Sequence, residues 1–544
     1  MRLRAWRGLL IPVVLAVAGC TPDAVAIPPS ATPRPAPSSS ADGARSPSTI
    51  PAEPTPTPTP TGSQTPPPAV ASAPRVLFER RVSPIPRSVA DRAWEPVVAT
   101  HPTDPMRIAV VYVHRGPGTA CSTNPLIRIS RDGGRTWRAT ASSPGANSRR
   151  GMGLHAALAW GPRPDGGARL YWTNMTSPQC GAGQFSLTTS YSDDEGTTWS
   201  RLRVERATPP WVGGFPEIAV DRGAGSPNRG VVYVSYNWYR PGARGPGFRL
   251  LASADLGRTW RRVEVPRVKL AKGAHDWWRI AYRLRPAPDG SVYATWYQVD
   301  LRRWDRTNIF AKGGAANVQR LGVAIARIRF ERGRGVFAVD RPRIAMRVAE
   351  TVWSASGVSA PGTAGDVRPD PMWQYGFDVD GDGRLYVAVG GYGPSRGGRA
   401  RGSVTVGSSQ DSGRSWKRTV LPEAPDVSAR RQSSLRPNLV AGPGYVLVTV
   451  RLLDDVGKDA TMGTAFALST DGGRHWEHPR AVNDVRWRAA DLGGVTNGAG
   501  LRERAEVTAD GDVLWAYGDA RLGARSGAGR TAIFATRITV APSP

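Results

Sequence analysis

One short pattern occurs five times along this chain of 544 residues. Each copy has a Ser, an Asp two positions later, then a Gly and a Trp, and the copies span Ser130–Trp137, Ser192–Trp199, Ser253–Trp260, Ser409–Trp416 and Ser469–Trp476. Each copy lies between two strand-like runs, which is typical of a hairpin connection. A carboxylate can accept backbone N–H bonds inside such a loop and Gly permits positive φ, so each copy predicts a tight turn. The aspartates of these turns are Asp132, Asp194, Asp255, Asp411 and Asp471.

A second periodicity begins near residue 75. A segment with a Pro-x-apolar-Ala character is followed by a Gly- or Asp-containing turn and a Val/Tyr-rich strand, and this unit recurs about every 67 residues. The paired segments are Glu95–Ala99 with Ile108–Val113, Leu154–Trp160 with Arg169–Trp172, Phe215–Ala219 with Val231–Tyr236, Trp278–Ala281 with Ser291–Tyr297, Trp373–Val379 with Leu385–Val389, Leu435–Val440 with Tyr445–Val450, and Arg504–Val507 with Val513–Tyr517. We expect Arg75–Val82 to complete the last unit and join the two ends of the domain.

The repeated turn resembles the Asp box, or bacterial neuraminidase repeat, of the sialidase-like β-propeller superfamily. This resemblance implies an all-β propeller of four-stranded antiparallel blades over residues 75–544. The unit count predicts seven blades, with six, the number in known sialidase catalytic domains, as the alternative. In that family the box is structural and lies on the face opposite the catalytic pocket. The five turn aspartates are therefore not candidate catalytic residues.

The first residues resemble a lipoprotein signal peptide. A basic start and an apolar run, too short to span a bilayer, precede Val17-Ala18-Gly19-Cys20. We therefore expect residues 1–19 to be a signal peptide and Cys20 to carry the lipid, with an uncleaved or type I-cleaved signal as the alternative. Residues 20–74 are rich in Pro, Ser and Thr, which predicts a disordered tether. The sequence thus predicts lipid anchoring on the outer face of a bacterial membrane.

The net charge is +28, and only five of the 72 basic residues are lysines. No nucleic-acid-binding motif accompanies this charge, so we expect no nucleic-acid partner. A basic exported protein is expected to bind anionic polymers in a salt-dependent way. Besides Cys20, the cysteines are Cys121 and Cys180, at the same place in consecutive units. They predict a disulfide between adjacent blades, with two free thiols as the alternative.

The resemblance also implies a set of site residues. Sialidases hold a carboxylate with three arginines, attack with a Tyr activated by a Glu, and use an Asp as acid/base. By that resemblance the ligand-binding arginines are Arg279, Arg436 and Arg504, and the catalytic candidates are Tyr375, Glu217 and Asp276. The family's N-terminal Arg-Ile-Pro motif is missing, and Ser83–Arg87 is only a loose echo of it.

We expect no metal or other cofactor. The six histidines show no metal-ligand spacing. The segment Asp378–Gly383 resembles a calcium loop, but Val389 stands where the loop requires Glu, so a turn is the favoured interpretation. Two functions remain. The first is a monomeric, surface-anchored propeller that binds an anionic glycan, a wall polymer or a protein partner through an arginine-rich face, and the second is an exo-acting, sialidase-like glycoside hydrolase.

Overall fold

The computed structural model describes residues 73–86, 91–115, 123–140, 152–177, 186–200, 203–205, 211–239, 247–302, 318–348, 375–393, 401–423, 433–454, 461–488, 503–522 and 531–540. The predictions for residues 1–72, which include the signal peptide, Cys20 and most of the tether, lie outside these ranges, as do Cys121 and Cys180. The described strands all belong to one compact unit, Pro68–Pro544.

Thirty β-strands follow one another along the described chain. Blade one contains β2 Arg92–Thr100, β3 Ile108–Arg115, β4 Thr123–Ser130 and β5 Arg138–Ala139, and blade two contains β6 Met152–Pro162, β7 Ala168–Ser177, β8 Ser186–Ser192 and β9 Arg203–Glu205. Blade three contains β10 Trp211–Val220, β11 Val232–Tyr239, β12 Gly247–Ser253 and β13 Arg261–Glu264, and blade four contains β14 His275–Pro286, β15 Ser291–Leu301, β16 Val318–Glu331, β17 Val336–Val339 and β18 Arg343–Arg347.

Blade five contains β19 Tyr375–Val379, β20 Leu385–Gly393, β21 Arg401–Ser409 and β22 Lys417–Val420. Blade six contains β23 Ser433–Gly442, β24 Tyr445–Asp454, β25 Thr461–Ser469, β26 Arg480–Ala481 and β27 Trp487–Arg488. Blade seven contains β28 Arg504–Val507, β29 Val513–Asp519 and β30 Ala532–Thr539, with β1 Arg75–Arg81 as its outer strand.

These seven small antiparallel sheets form a seven-bladed β-propeller, which confirms the predicted fold class and the larger blade count. The predicted pairs of strands are the first and second strands of the seven blades. The described residues contain no α-helix, and therefore none that is long and apolar enough to cross a membrane.

The ring closes through the start of the chain. Strand β1 pairs antiparallel with β30, from Arg75 opposite Thr539 to Arg81 opposite Phe534, as the sequence predicts. Glu79 on β1 accepts hydrogen bonds from Arg521 at 2.7 and 2.9 Å and from Asn483 at 2.8 Å. Blade seven is therefore completed by contacts between residues more than 400 positions apart.

The hydrophobic core lies between neighbouring blades. The second strand of each blade is buried on both faces, and in β15 every residue is buried. One apolar cluster joins blades one to three through residues such as Val111, Trp172 and Val234. Each sheet thus buries its faces against the sheets on either side, which is how a propeller grows without a single larger core.

The five repeated turns share one hydrogen-bond pattern. In blade three, Ser253 Oγ accepts from Gly257 N at 2.7 Å and donates to Asp255 at 2.8 Å, while Asp255 accepts from the backbone and side chain of Thr259 at 2.8 and 2.6 Å. The glycines Gly134, Gly196, Gly257, Gly413 and Gly473 all have positive φ, between 80° and 101°. In each turn the Asp accepts hydrogen bonds from the loop, and the five tryptophans are half-buried against the blade cores.

Candidate functional site

The innermost strands of the blades place equivalent residues at the same level of the central channel. Each innermost strand has a last residue that pairs with the second strand of its blade. The third residue before that one is Glu217 in blade three, Arg283 in blade four and Arg504 in blade seven. We call this level the upper layer, because it lies towards the face opposite the repeated turns. Three of the seven positions at this level are therefore charged.

A buried ion pair crosses the channel in the upper layer. The guanidinium of Arg504 donates to the carboxylate of Glu217, and each side chain is 3% exposed. The two residues are 287 positions apart in the sequence. The geometry thus brings two predicted site residues together, but it pairs Glu217 with an arginine, and the hydroxyl of Tyr375 has another partner.

Tyr375 lies beside this pair in the packing between blades four and five. Its side chain is fully buried, its hydroxyl is 2.9 Å from Thr295 Oγ1, and its ring meets that of Tyr297 edge-on at 4.9 Å. Burial raises the pKa of Tyr375 well above its usual value, against the opposing effect of Arg283, so the phenol stays protonated. The guanidinium of Arg283 lies 5.5 Å from the centre of the Tyr375 ring.

Arg436 lies on the innermost strand of blade six, and its charge acts on a second buried carboxyl, that of Glu503. Arg436 is 7% exposed and occupies a bulge of β23 with a φ of 49°, immediately before Pro437. Glu503 also pairs with Arg451, whose Nη2 is 2.5 Å from the carboxylate, and both of these side chains are fully buried. Burial raises the pKa of Glu503, and the charges of Arg451 and Arg436 oppose that rise.

The same bulge recurs in other innermost strands. Glu95, His155 and Phe215 have positive φ at equivalent bulges of β2, β6 and β10. His155 Nδ1 is 2.8 Å from Glu95 Oε2, and its ring lies 4.2 Å from that of Phe215. A non-glycine residue in this region is strained, so three adjacent blades share one costly backbone feature at the candidate site.

Two further predicted residues lie on the innermost strand of blade four. Asp276 pairs with Asp300 and Arg279 with Gln298 along β14, but their side chains are not among the described ones. The prediction that Arg279, Arg436 and Arg504 form one clamp, with Asp276 as acid/base, therefore stays a prediction. Within the described part, Arg504, Glu217 and Tyr375 lie in one electrostatic neighbourhood.

Sequence reasoning missed several buried charged residues, above all Arg283, Arg451 and Glu503. Aligning the blades on their first hairpin turns would have found Arg283, because it occupies the same register as Glu217 and Arg504. The described residues hold no cluster of His, Cys, Asp or Glu that could bind a metal ion. Within Asp378–Gly383, Asp380 accepts from the backbone of Asp382 and Arg384, so this segment forms a turn.

No family model matches the sequence, and no curated protein does. Solved structures with a similar fold include the α-L-arabinofuranosidase Arb93A from Fusarium graminearum, 12% identical, with a TM-score of 0.42 over 69% of this chain and 93% of that one. A polysaccharide lyase, an ulvan lyase, is 13% identical with a TM-score of 0.44 over 85% and 96% of the two chains. A leech intramolecular trans-sialidase is 14% identical with a TM-score of 0.36 over 73% and 70%. At this level of identity the likeness concerns the propeller fold alone.

Proposed function

We propose that this chain is an exported lipoprotein of the sialidase-like, Asp-box type whose propeller binds anionic glycans or wall polymers. Cys20 would carry the lipid, residues 20–74 would form the tether, and Cys121 and Cys180 would form a disulfide. The binding surface is the arginine-rich face opposite the repeated turns. A protein partner is the alternative ligand of the same surface.

The burial of Tyr375 carries the choice of binding over catalysis. A nucleophile must reach its substrate, whereas this side chain is fully buried and its hydroxyl is held by Thr295. Its raised pKa opposes formation of the phenolate. The adjacent Arg504 is already neutralised by Glu217, so the candidate clamp contains an internal carboxylate where a substrate's would bind.

The sequence of the connecting segments supports the anionic ligand. The segments 240–246, 394–400 and 523–530 join the second and third strands of blades three, five and seven, whose ends lie on the face opposite the turns. Each contains two arginines and no carboxylate: Arg240 and Arg244, Arg396 and Arg399, and Arg525 and Arg530. Guanidinium groups pair with carboxylates and phosphates in bidentate geometry, which suits polymers that carry such groups.

The test compares two matched sets of four arginines. Replacing Arg240, Arg244, Arg396 and Arg399 with Gln should weaken sedimentation with polygalacturonate and flatten its salt dependence. The control replaces four exposed arginines of the repeated turns, Arg135, Arg258, Arg414 and Arg474, and should retain most of the binding despite the same change in charge. Equal losses in both variants, or equal binding to neutral dextran, would contradict the proposal.

A sialidase-like hydrolase is the second candidate, because Tyr375, Glu217 and Arg504 share one electrostatic neighbourhood. Incubation with a fluorogenic sialoside distinguishes the two. Turnover that Tyr375→Phe abolishes would establish the enzyme, and an absence of turnover together with retained polymer binding would support the binding protein.

A further inference from the structure

The central channel changes character one step below the upper layer. The residue immediately before the last paired residue of each innermost strand belongs to a lower layer, which lies nearer the repeated turns. The seven residues of this lower layer are Ala99, Gly161, Ala219, Arg285, Asp378, Ala441 and Glu506. Four of these seven are Ala or Gly. The upper layer is blocked by the Glu217–Arg504 pair, whereas the small residues of the lower layer leave space.

That space is a cavity of about 540 Å³ on the face that carries the turns. Its walls include Ala219, Arg285, Asp378, Ala441 and Glu506 from the lower layer, with Val507 beside them. The volume falls in the range of roughly 300–1,000 Å³ that is usual for small-molecule sites. The cavity lies on the face opposite the arginine-rich surface of the proposed function.

The charged groups of the cavity are held in place by the next blade. Asp378 accepts from Arg285 Nε at 2.8 Å and from the backbone of Ala441 at 2.9 Å. Glu506 Oε2 accepts from the backbone and hydroxyl of Thr100 at 3.1 and 3.3 Å. These side chains are therefore rigid, as a binding site requires, because each one joins two blades.

Some polar atoms of these groups remain available to a ligand. Arg285 uses Nε for Asp378 and Nη1 for Leu284 O, and within the described part of the chain Nη2 has no hydrogen-bond partner. Glu506 Oε1 likewise accepts from none of the described residues. Arg222 Nη2 lies 3.9 Å from Glu506 Oε2, so a guanidinium donor stands beside a carboxylate acceptor.

This arrangement favours neutral ligands that both donate and accept hydrogen bonds. The charges of Arg222 and Arg285 are balanced by Glu506 and Asp378, and two more carboxylates of the wall, Asp221 and Asp380, are occupied by neighbouring hydroxyl and backbone donors. An anion would meet this excess of carboxylates, and a cation would meet carboxylates that already accept hydrogen bonds from protein donors. Hydroxyl groups can pair with donor and acceptor at once, and the apolar wall suits C–H surfaces.

We propose that the channel mouth on the turn-bearing face is a second binding site, for a neutral polyhydroxyl ligand of about one or two sugar rings. It is separate from the binding of anionic polymers and does not depend on it. A single chain would then hold an acidic polymer on one face and a neutral sugar on the other.

The experiment titrates the full chain with methyl glucoside, methyl galactoside and methyl mannoside, followed by saturation-transfer NMR and calorimetry, with glucuronate and glucosamine as charged counterparts. At least one neutral glycoside should bind more tightly than both charged sugars. Ala441→Phe, which fills the cavity from a half-buried position, should abolish this binding, and Ala139→Phe on the exposed outer strand of blade one should not. Glu506→Gln should lower the affinity about tenfold, since it removes a charged acceptor.

Binding of none of these sugars, preference for a charged one, or unchanged affinity in Ala441→Phe would overturn the proposal. If Ala441→Phe does not fold, as judged by circular dichroism, Glu506→Gln decides, because its amide oxygen can still accept from Thr100. Sedimentation with polygalacturonate should be the same in Ala441→Phe and the wild type, so a failure of this site is distinguishable from a failure of the proposed polymer binding.

Discussion

Blades three and seven obtain their outer strands in opposite ways. Both must attach a fourth, outer strand to the edge of a three-stranded sheet. Blade three does so with a local turn, in which Asp255 organises residues 253–260 before β13 begins. Blade seven receives its outer strand β1 from the other end of the described chain and fixes it with Glu79, Arg521 and Asn483.

Blade four shows that the aspartate turn is not the only local solution. Its third and fourth strands are joined at Glu331–Gly335, where the backbone of Gly335 donates to Glu331 O at 2.7 Å and no Asp organises the loop. Among the described residues, the Glu331 side chain pairs only with the exposed Arg334. We therefore expect local turns to contribute small, separable increments of stability, and the closing strand to determine whether the ring holds together.

Deleting residues 75–81 should have the largest effect. Without β1, strand β30 becomes an exposed edge and the Glu79 contacts are lost, so the ring is open between its first and last blades. We expect loss of cooperative thermal unfolding and aggregation, measured by circular dichroism and size-exclusion chromatography. A deletion of residues 21–60, which removes most of the Pro- and Thr-rich segment but keeps β1, should unfold like the full chain. Cooperative unfolding of the first variant at the normal temperature would refute the role of β1.

Glu79→Ala should be the next most damaging change. Arg521 is 15% exposed and faces both Glu79 and Asp519, and the hydroxyl of Tyr517 also donates to Glu79. Removing one partner of a largely buried ion pair costs about 3 kcal/mol of unfolding free energy. Chemical denaturation measures this loss. Glu331→Ala in the turn of blade four, where the ion pair is exposed, serves as the control and should cost about 0.5 kcal/mol or less.

Local features of this propeller follow from the sequence, and long-range ones do not. The turn at Ser253–Trp260 could be predicted because Asp255, Gly257 and Thr259 act on one another within a few residues. The partner of Arg504 could not, because Glu217 meets it only when blades three and seven face each other across the channel. Resemblance to a family nominated both residues, but it carries no information on which charges neutralise one another.

The lower layer was missed for a related reason. Ala219 and Ala441 look like ordinary strand residues in the sequence, and Arg285 and Asp378 are 93 positions apart. Their common level becomes visible only once the hairpin turns of the blades are aligned, since the register then places one residue from each blade around the axis. A cavity that exists because its lining residues are small corresponds to no sequence motif.

The smallest effect concerns a single aspartate turn and its dependence on pH. Burial disfavours the charge of Asp255, but hydrogen bonds from Thr259, Ser253 and the backbone outweigh it and hold its pKa below the ordinary value. A carboxyl with a lowered folded-state pKa contributes stability above its unfolded pKa and loses it as the pH falls through the folded one. Asp255→Asn should therefore cost about 1 kcal/mol at neutral pH.

The difference between wild type and Asp255→Asn should shrink as the pH falls below about 4, because the carboxyl of the unfolded chain becomes protonated there and that of the folded chain at a lower pH still. Urea unfolding at a series of pH values measures it. Asp340→Asn on the surface of blade four is the control, since its carboxylate contacts the exposed Arg329 and organises no turn. A difference that persists unchanged in acid would mean that the turn depends on the shape of the side chain and not on its charge.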